Sequence, residues 1–315
     1  MIRAMREPRP QVLIYEVGPR DGLQNEPDTV ATAVKRELVL RLAAAGLRRI
    51  EVTSFVSPKW IPQLADADDL AGALPLPPGV VYSALVPNVQ GYQRLREAGS
   101  IGVAAVFVSA SETHNRKNLN CDIAAQLERI RPVAERARAD GVPLRAYVST
   151  VLGCPYEGEV ATSAVVALTR KLLAIGASEI SLGDTIGVGV PAGVRALVRA
   201  LAGDVPLERV ALHLHDTWGR ALANVQAGYE EGVRVFDASL GGLGGCPYAP
   251  GASGNVATED VVDLFERSGV ATGVDLDALA DTTRWLQDDV LRRPLPGRVF
   301  RARLGERERA AGGAT

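Results

Sequence analysis

Val210-Ala211-Leu212-His213-Leu214-His215-Asp216 is the stretch on which the fold turns. It begins as an apolar run of the kind that fills a parallel strand covered on both faces. Side chains alternate across a strand, so His213 and His215 face one side and Leu214 the other. Two imidazoles so placed lie about 7 Å apart along the chain and can share one metal ion. The chain has three histidines, and two of them are here. A hydrogen-bonded pair of core histidines is the competing explanation. Arg20-Asp21-Gly22, after the first apolar run, and Asn255, in a late glycine-rich loop, weigh against it. They offer oxygen donors from other strand ends.

Outward from this stretch the same unit recurs, strand then helix, about eight times. Strands are expected at 12–17, 49–53, 80–86, 103–108, 144–151, 179–182, 210–215 and 235–240. Amphipathic helices are expected at 32–45, 89–98, 123–140, 162–175, 193–202 and 220–231. Glycine stands where five of these helices should stop, at Gly46, Gly99, Gly141, Gly176 and Gly232. A helix at 64–73 and a proline-rich turn fill the less regular stretch between the second and third strands. This pattern predicts an α/β chain closed into a (β/α)8 TIM barrel, with an additional C-terminal helical segment at 276–291. An open doubly wound sheet is the rival, but no G-x-G-x-x-G follows the first strand and no phosphate loop appears. The expected organisation is an N-terminal extension at 1–10, a catalytic barrel with its C-terminal helix at 11–291, and a partly disordered tail at 292–315.

A length of 315 residues suits one such barrel, and 47% apolar residues suffice for its core. A net charge of -2 gives no footprint for nucleic acid or a membrane surface. No apolar run reaches transmembrane length, and 1–10 has no apolar signal region. Cys121, Cys154 and Cys246 are an odd set without zinc-type spacing, which suits free thiols in a reducing cytoplasm.

Barrel catalysis takes place at the C-terminal ends of the strands, and the unusual residues of this chain gather there. Asp21, His213, His215 and Asn255 form a mixed oxygen and nitrogen set without thiolate. Such a set favours an octahedral divalent cation, Mg²⁺ or Mn²⁺, although imidazole also suits Zn²⁺ or Co²⁺. Arg20, beside one of the ligands, suits an oxyanion or enolate. Taken alone, Arg20-Asp21 reads rather as a surface ion pair or as turn residues. Cys246 lies among six glycines between Gly241 and Gly254, a loop able to move as a lid and to bring a thiol as acid or base. A lone cysteine is more often inert packing, and Cys121 and Cys154 are read that way. Asp184 and Glu51, at strand ends, are candidates for catalysis or for orienting Arg20. His114 is read as loop, beside Arg116 and Lys117, which suit phosphate.

The blocks 16–26, 54–63, 181–187, 213–224 and 241–260 resemble the signature blocks of the 3-hydroxy-3-methylglutaryl-CoA lyase family. These are metal-dependent barrel lyases related to isopropylmalate synthase. The resemblance runs from about Val12 to Gly273, and the Gly244-Gly245-Cys246-Pro247-Tyr248-Ala249 loop is its most diagnostic part. It implies that Asp21, His213, His215 and Asn255 hold the divalent cation, with His213 counted among the catalytic residues too. It implies that Arg20 stabilises the thioester enolate, that Cys246 is the lid thiol, and that Asp184 and Glu51 assist. The implied reaction cleaves 3-hydroxy-3-methylglutaryl-CoA to acetyl-CoA and acetoacetate, chemistry of leucine degradation and ketone-body formation. The implied partners are the acyl-CoA substrate and a second copy of the chain, as a homodimer. A lyase of the same mechanism on a longer branched acyl-CoA, or on citramalyl-CoA, is the alternative. A condensing acyltransferase and a non-catalytic binding barrel are further readings, which the Cys246 loop and the intact charged set oppose. Leu214 stands where cysteine is frequent, and Pro27 where a lysine is common, which bears on acyl preference. A late cysteine used by some relatives is missing, so no disulfide between subunits is expected.

Overall fold

Each apolar run recognised in the sequence becomes a strand, and each strand pairs in parallel with its chain neighbours. The strands are β1 Leu13–Glu16, β2 Arg49–Ser54, β3 Val81–Leu85, β4 Ile101–Ser109, β5 Leu144–Ser149, β6 Glu179–Asp184, β7 Val210–Leu214 and β8 Val235–Ala238. They close in sequence order, with β1 hydrogen-bonded to both β2 and β8. The computed structural model describes residues 11–244 and 254–312, with side chains through 306. The N-terminal extension 1–10 lies outside the described residues.

Helices cover the barrel: α1 Thr32–Ala44, α2 Ala67–Ala73, α3 Val89–Ala98, α4 Glu112–Leu119, α5 Ile123–Ala139, α6 Thr162–Ile175, α7 Pro191–Ala202, α8 Ala221–Glu230, α9 Thr258–Arg267, α10 Leu276–Trp285 and α11 Arg298–Gly312. α7 shows how they dock. It buries Val194, Leu197, Val198 and Leu201, a stripe at helical spacing that packs on the sheet. The five glycines expected at helix ends all take positive φ. At Gly46 the requirement is doubled, because a Cβ there would sit 2.4 Å from the Gly273 carbonyl oxygen.

Two helices depart from expectation. The stretch around His114, read as loop, is α4, whose N-terminus is capped by Ser111 accepting from the His114 amide. Its polar composition hides the helix, since it buries only His114 and Asn115. α9 was not foreseen because its first turn buries Thr258, Glu259 and Asp260, the reverse of an ordinary amphipathic pattern. The helix expected at 276–291 is α10, which widens into a π-helical turn at Leu286–Leu291. Within 292–315, α11 runs as far as Gly312.

The barrel lumen differs from the shell. Tyr15, Val17, Ala211 and Val235 form one inner apolar cluster, and Leu85, Ala105 and Tyr147 another. Between them lie charged groups, described below. Among the described residues no helix is long and apolar enough to cross a membrane.

Candidate metal and active site

The site straddles the seam where β1 meets β8. On β7, His213 faces the lumen, while Leu214 packs outward into the main core. His213 and His215, both buried, bring their Nε2 atoms to 3.3 Å. Beyond β1 the chain folds into a tight turn over the barrel mouth, in which the Arg20, Asp21 and Gly22 amides all donate to the Val17 carbonyl. The turn is closely packed: a Cβ at Gly22 would lie 2.7 Å from Ser239 Oγ, so a neighbouring side chain would have to shift to admit one. The turn delivers Asp21 to the histidines, with Oδ2 3.9 Å from His213 Nε2. One ligand atom from each of Asp21, His213 and His215 lies within 4.8 Å of the others, a spacing one cation can bridge.

Asn255 arrives from the opposite side of the seam. It bridges to His215 through the backbone, and its Nδ2 donates to Asp21 Oδ2 at 2.9 Å and to the Leu243 carbonyl at 3.2 Å. It thus meets Asp21 through nitrogen, whereas a cation takes the amide oxygen.

Arg20 is clamped at two points. Its Nε donates to Glu51 Oε2 at 2.5 Å and its Nη1 to Asp21 Oδ1 at 2.6 Å. The guanidinium lies 5.4 Å from the centre of the Tyr147 ring. Burial alone would favour loss of its charge, but Glu51 and Asp21 hold it firmly cationic. Burial likewise works against the Asp21 carboxylate, yet Arg20, His213 and the Asn255 bond keep it well below the usual range.

The two histidines are made unequal by a carboxylate that sequence reasoning missed. Asp237, on β8 opposite His213 in register, accepts from His213 Nδ1 at 3.2 Å. Burial opposes charge on His213, but Asp237 and then Asp21 outweigh it and raise its pKa. Burial and the neighbouring His213 instead lower His215 to about 4. With Nδ1 engaged, His213 presents Nε2 towards His215, the orientation a second carboxylate commonly imposes on a ligating imidazole.

Asp237 is itself anchored. Arg145 from β5 reaches it through Nη2 at 2.6 Å and Nη1 at 3.1 Å, and Ser181 Oγ donates at 2.8 Å. Arg145 also donates to Tyr147 Oη and to Glu179 and stacks 3.8 Å from the Tyr15 ring centre. Although burial favours the neutral acid, Arg145 and His213 hold Asp237 at about 2. The available signal was a charge at a lumen-facing position of an apolar strand: Asp237 in Val235–Ala238 and Arg145 in Leu144–Ser149.

The remaining candidates fall in different places. Glu51 is fully buried beneath Arg20, as an orienting group would be. Asp184 ends β6, and its Oδ2 accepts from the Gly189 amide at 2.9 Å. Its Oδ1 is buried without a partner, and burial, opposed by its bonds to Gly189 and Val188, raises it to about 6. It is not part of the cluster of Asp21, His213 and His215. Cys246 lies outside the described residues, although the ends of its loop meet, with Gly254 N donating to the Gly244 carbonyl at 2.9 Å. His114 is buried against Asn118 and Tyr156, and Lys117 packs over the Tyr156 ring. Cys121 and Cys154 are free thiols.

The HMGL-like family model matches residues 11–286. The chain belongs to the HMGL-like family. Over 271 residues, which are 86% of this chain and 90% of the relative, it is 51% identical to the 3-hydroxy-3-isohexenylglutaryl-CoA/hydroxy-methylglutaryl-CoA lyase of Pseudomonas aeruginosa. The crystal structure of Bacillus subtilis HMG-CoA lyase superposes with a TM-score of 0.91 at 48% identity, covering 95% of this chain and 99% of that one. An HMG-CoA lyase from A. baumannii, solved with coenzyme A and 3-methylmalate, gives 0.88 at 39% identity over 92% and 94%.

Proposed function

We propose that this protein is a divalent-metal-dependent lyase that cleaves 3-hydroxy-3-methylglutaryl-CoA to acetyl-CoA and acetoacetate. The observation that carries the reading is the convergence of Asp21, His213 and His215 beside a clamped Arg20, in a chain about half identical to such lyases. Asp21, His213 and His215 would hold the cation, with Asn255 completing the set through its oxygen. The donor set contains oxygen and nitrogen but no sulfur, which suits Mg²⁺ or Mn²⁺. A cation held there would supply Lewis-acid polarisation of the substrate's oxygens.

The rest of the chemistry falls to the protein. Asp184, with one buried oxygen unpartnered, takes the hydroxyl proton. The C2–C3 bond breaks, its electron pair passes to the thioester as an enolate, and acetoacetate leaves. Arg20 provides a fixed cation for the enolate oxygen, and Glu51 keeps the guanidinium from swinging away. The thiol of Cys246 returns a proton to the enolate carbon, giving acetyl-CoA.

The Pseudomonas aeruginosa relative is named for a longer branched substrate as well. The second reading is therefore a lyase of the same mechanism on such an acyl-CoA. We place the protein in the cytoplasm as a homodimer, and its reaction in leucine degradation and ketone-body chemistry. The test is purified protein with Mg²⁺ or Mn²⁺ and a panel of 3-hydroxyacyl-CoA esters, scored for acetyl-CoA release. Fastest release from 3-hydroxy-3-methylglutaryl-CoA is expected. Faster release from a longer branched ester would favour the second reading, and none from any ester would refute both.

A further inference from the structure

The start of α11 is tied to the segments that carry two of the proposed ligands. Asp260, in the first turn of α9, accepts from the Arg298 amide at 3.2 Å and the Val299 amide at 2.8 Å, capping α11. Gly297 N donates to the Gly241 carbonyl at 2.8 Å. Thus fixed, Arg298 extends to the loop after β7, where its Nη1 lies 2.7 Å from Asp216 Oδ2. The Asp216 side chain is 10% exposed and that of Arg298 50%.

Asp216 passes this contact on in two directions. Its Oδ1 accepts from the Ala221 amide at 2.9 Å, fixing the start of α8. Its own amide donates to the Gly254 carbonyl at 2.7 Å. Asp216 directly follows His215, Gly254 directly precedes Asn255, and His215 and Asn255 are themselves bridge partners. A single carboxylate therefore sits at the junction of two ligand-bearing segments, and Arg298 is its charged partner from a third.

We infer that Arg298 is a positioning residue for the metal site, acting through Asp216 to set His215 against Asn255. This rests on the reading of that cluster as a cation site. A half-exposed ion pair contributes little to global stability, so the effect belongs to local register. Partners just outside a metal's ligands change affinity by roughly 10–100-fold. Arg298 stands one step further out, and about a 3–10-fold loss of Mn²⁺ affinity is expected for Arg298→Ala.

The experiment titrates Mn²⁺ into substrate-free, metal-stripped wild type, Arg298→Ala, Arg298→Lys, Asp216→Asn and the Arg298→Ala/Asp216→Asn double variant, with thermal midpoints alongside. Support consists of weaker Mn²⁺ binding in Arg298→Ala with a nearly unchanged midpoint, recovery in Arg298→Lys, and a double variant no weaker than Asp216→Asn alone. Mn²⁺ affinity in Arg298→Ala within twofold of wild type would overturn the inference, as would strictly additive losses in the double variant. A wild-type protein that binds no Mn²⁺ would overturn the cation reading itself.

Discussion

Arg20 and Arg145 flank the same tyrosine at two levels of one barrel, and they do different work. Both sit near the Tyr147 ring and both pair with two carboxylates. Arg145 is sealed in the layer beneath, its nitrogens spent on Asp237, Glu179 and the Tyr147 hydroxyl. Arg20 lies at the mouth, next to a proposed ligand. The comparison shows that a buried cation in this lumen is not in itself a catalytic signature. In the proposed reaction its level decides: at the mouth it would meet substrate, and below it would aim the groups that do.

If that division is right, stripping the metal should abolish turnover and leave the barrel folded, since barrel catalysis and stability reside at opposite faces. Activity and circular dichroism after chelation check this, and full activity without metal would break the picture. Arg145→Met should act the other way. It removes the guanidinium that buried Asp237 shares with Glu179, and breaking such a buried pair costs about 3–5 kcal/mol. Denaturant unfolding measures it, and an unchanged midpoint would mean the layer beneath is no brace.

Arg20→Lys should preserve stability but lower kcat by about 10²–10³-fold, because an ammonium lacks the planar fork of donors. A normal kcat with only a raised KM would demote Arg20 to simple binding. Asp237→Asn joins the two levels. It should weaken Mn²⁺ binding by about 10–100-fold by releasing His213 Nδ1, with calorimetric titration as the measurement.

The same variant also changes the acid limb of stability. The folded pKa of Asp237, about 2, lies below its unfolded value. Its contribution is therefore complete above the unfolded value and is lost as pH falls through about 2, on the order of 2 kcal/mol. Asp237→Asn should flatten stability over that window, and an unaltered slope would show that Asp237 is not held as a carboxylate.

The barrel was legible in the sequence because its signals are local: apolar runs, helical stripes and terminal glycines. The clustering of Asp21, His213 and His215 was legible for a similar reason, since two of three histidines and an Arg-Asp pair fell at strand ends. Asp237 and Arg145 were not, although each interrupts an apolar strand. Their meaning arises only when the lumen brings together residues 92 positions apart. α4 and α9 were hidden because one is almost wholly polar and the other buries acids in its first turn. The role assigned to Cys246 still rests on its sequence context, as it lies outside the described residues.

The bond between Asn255 and Asp21 spans 234 positions of chain. Both lie at the seam where first and last strands meet, so the full proposed ligand set exists only once that seam has shut. A nascent chain emerging from the ribosome carries Asp21 early, but gains His213, His215 and Asn255 only near the end of synthesis. On the proposed ligand set, metal loading would be a late event in the protein's biogenesis, and a chain truncated before Asn255 would have no complete site to load.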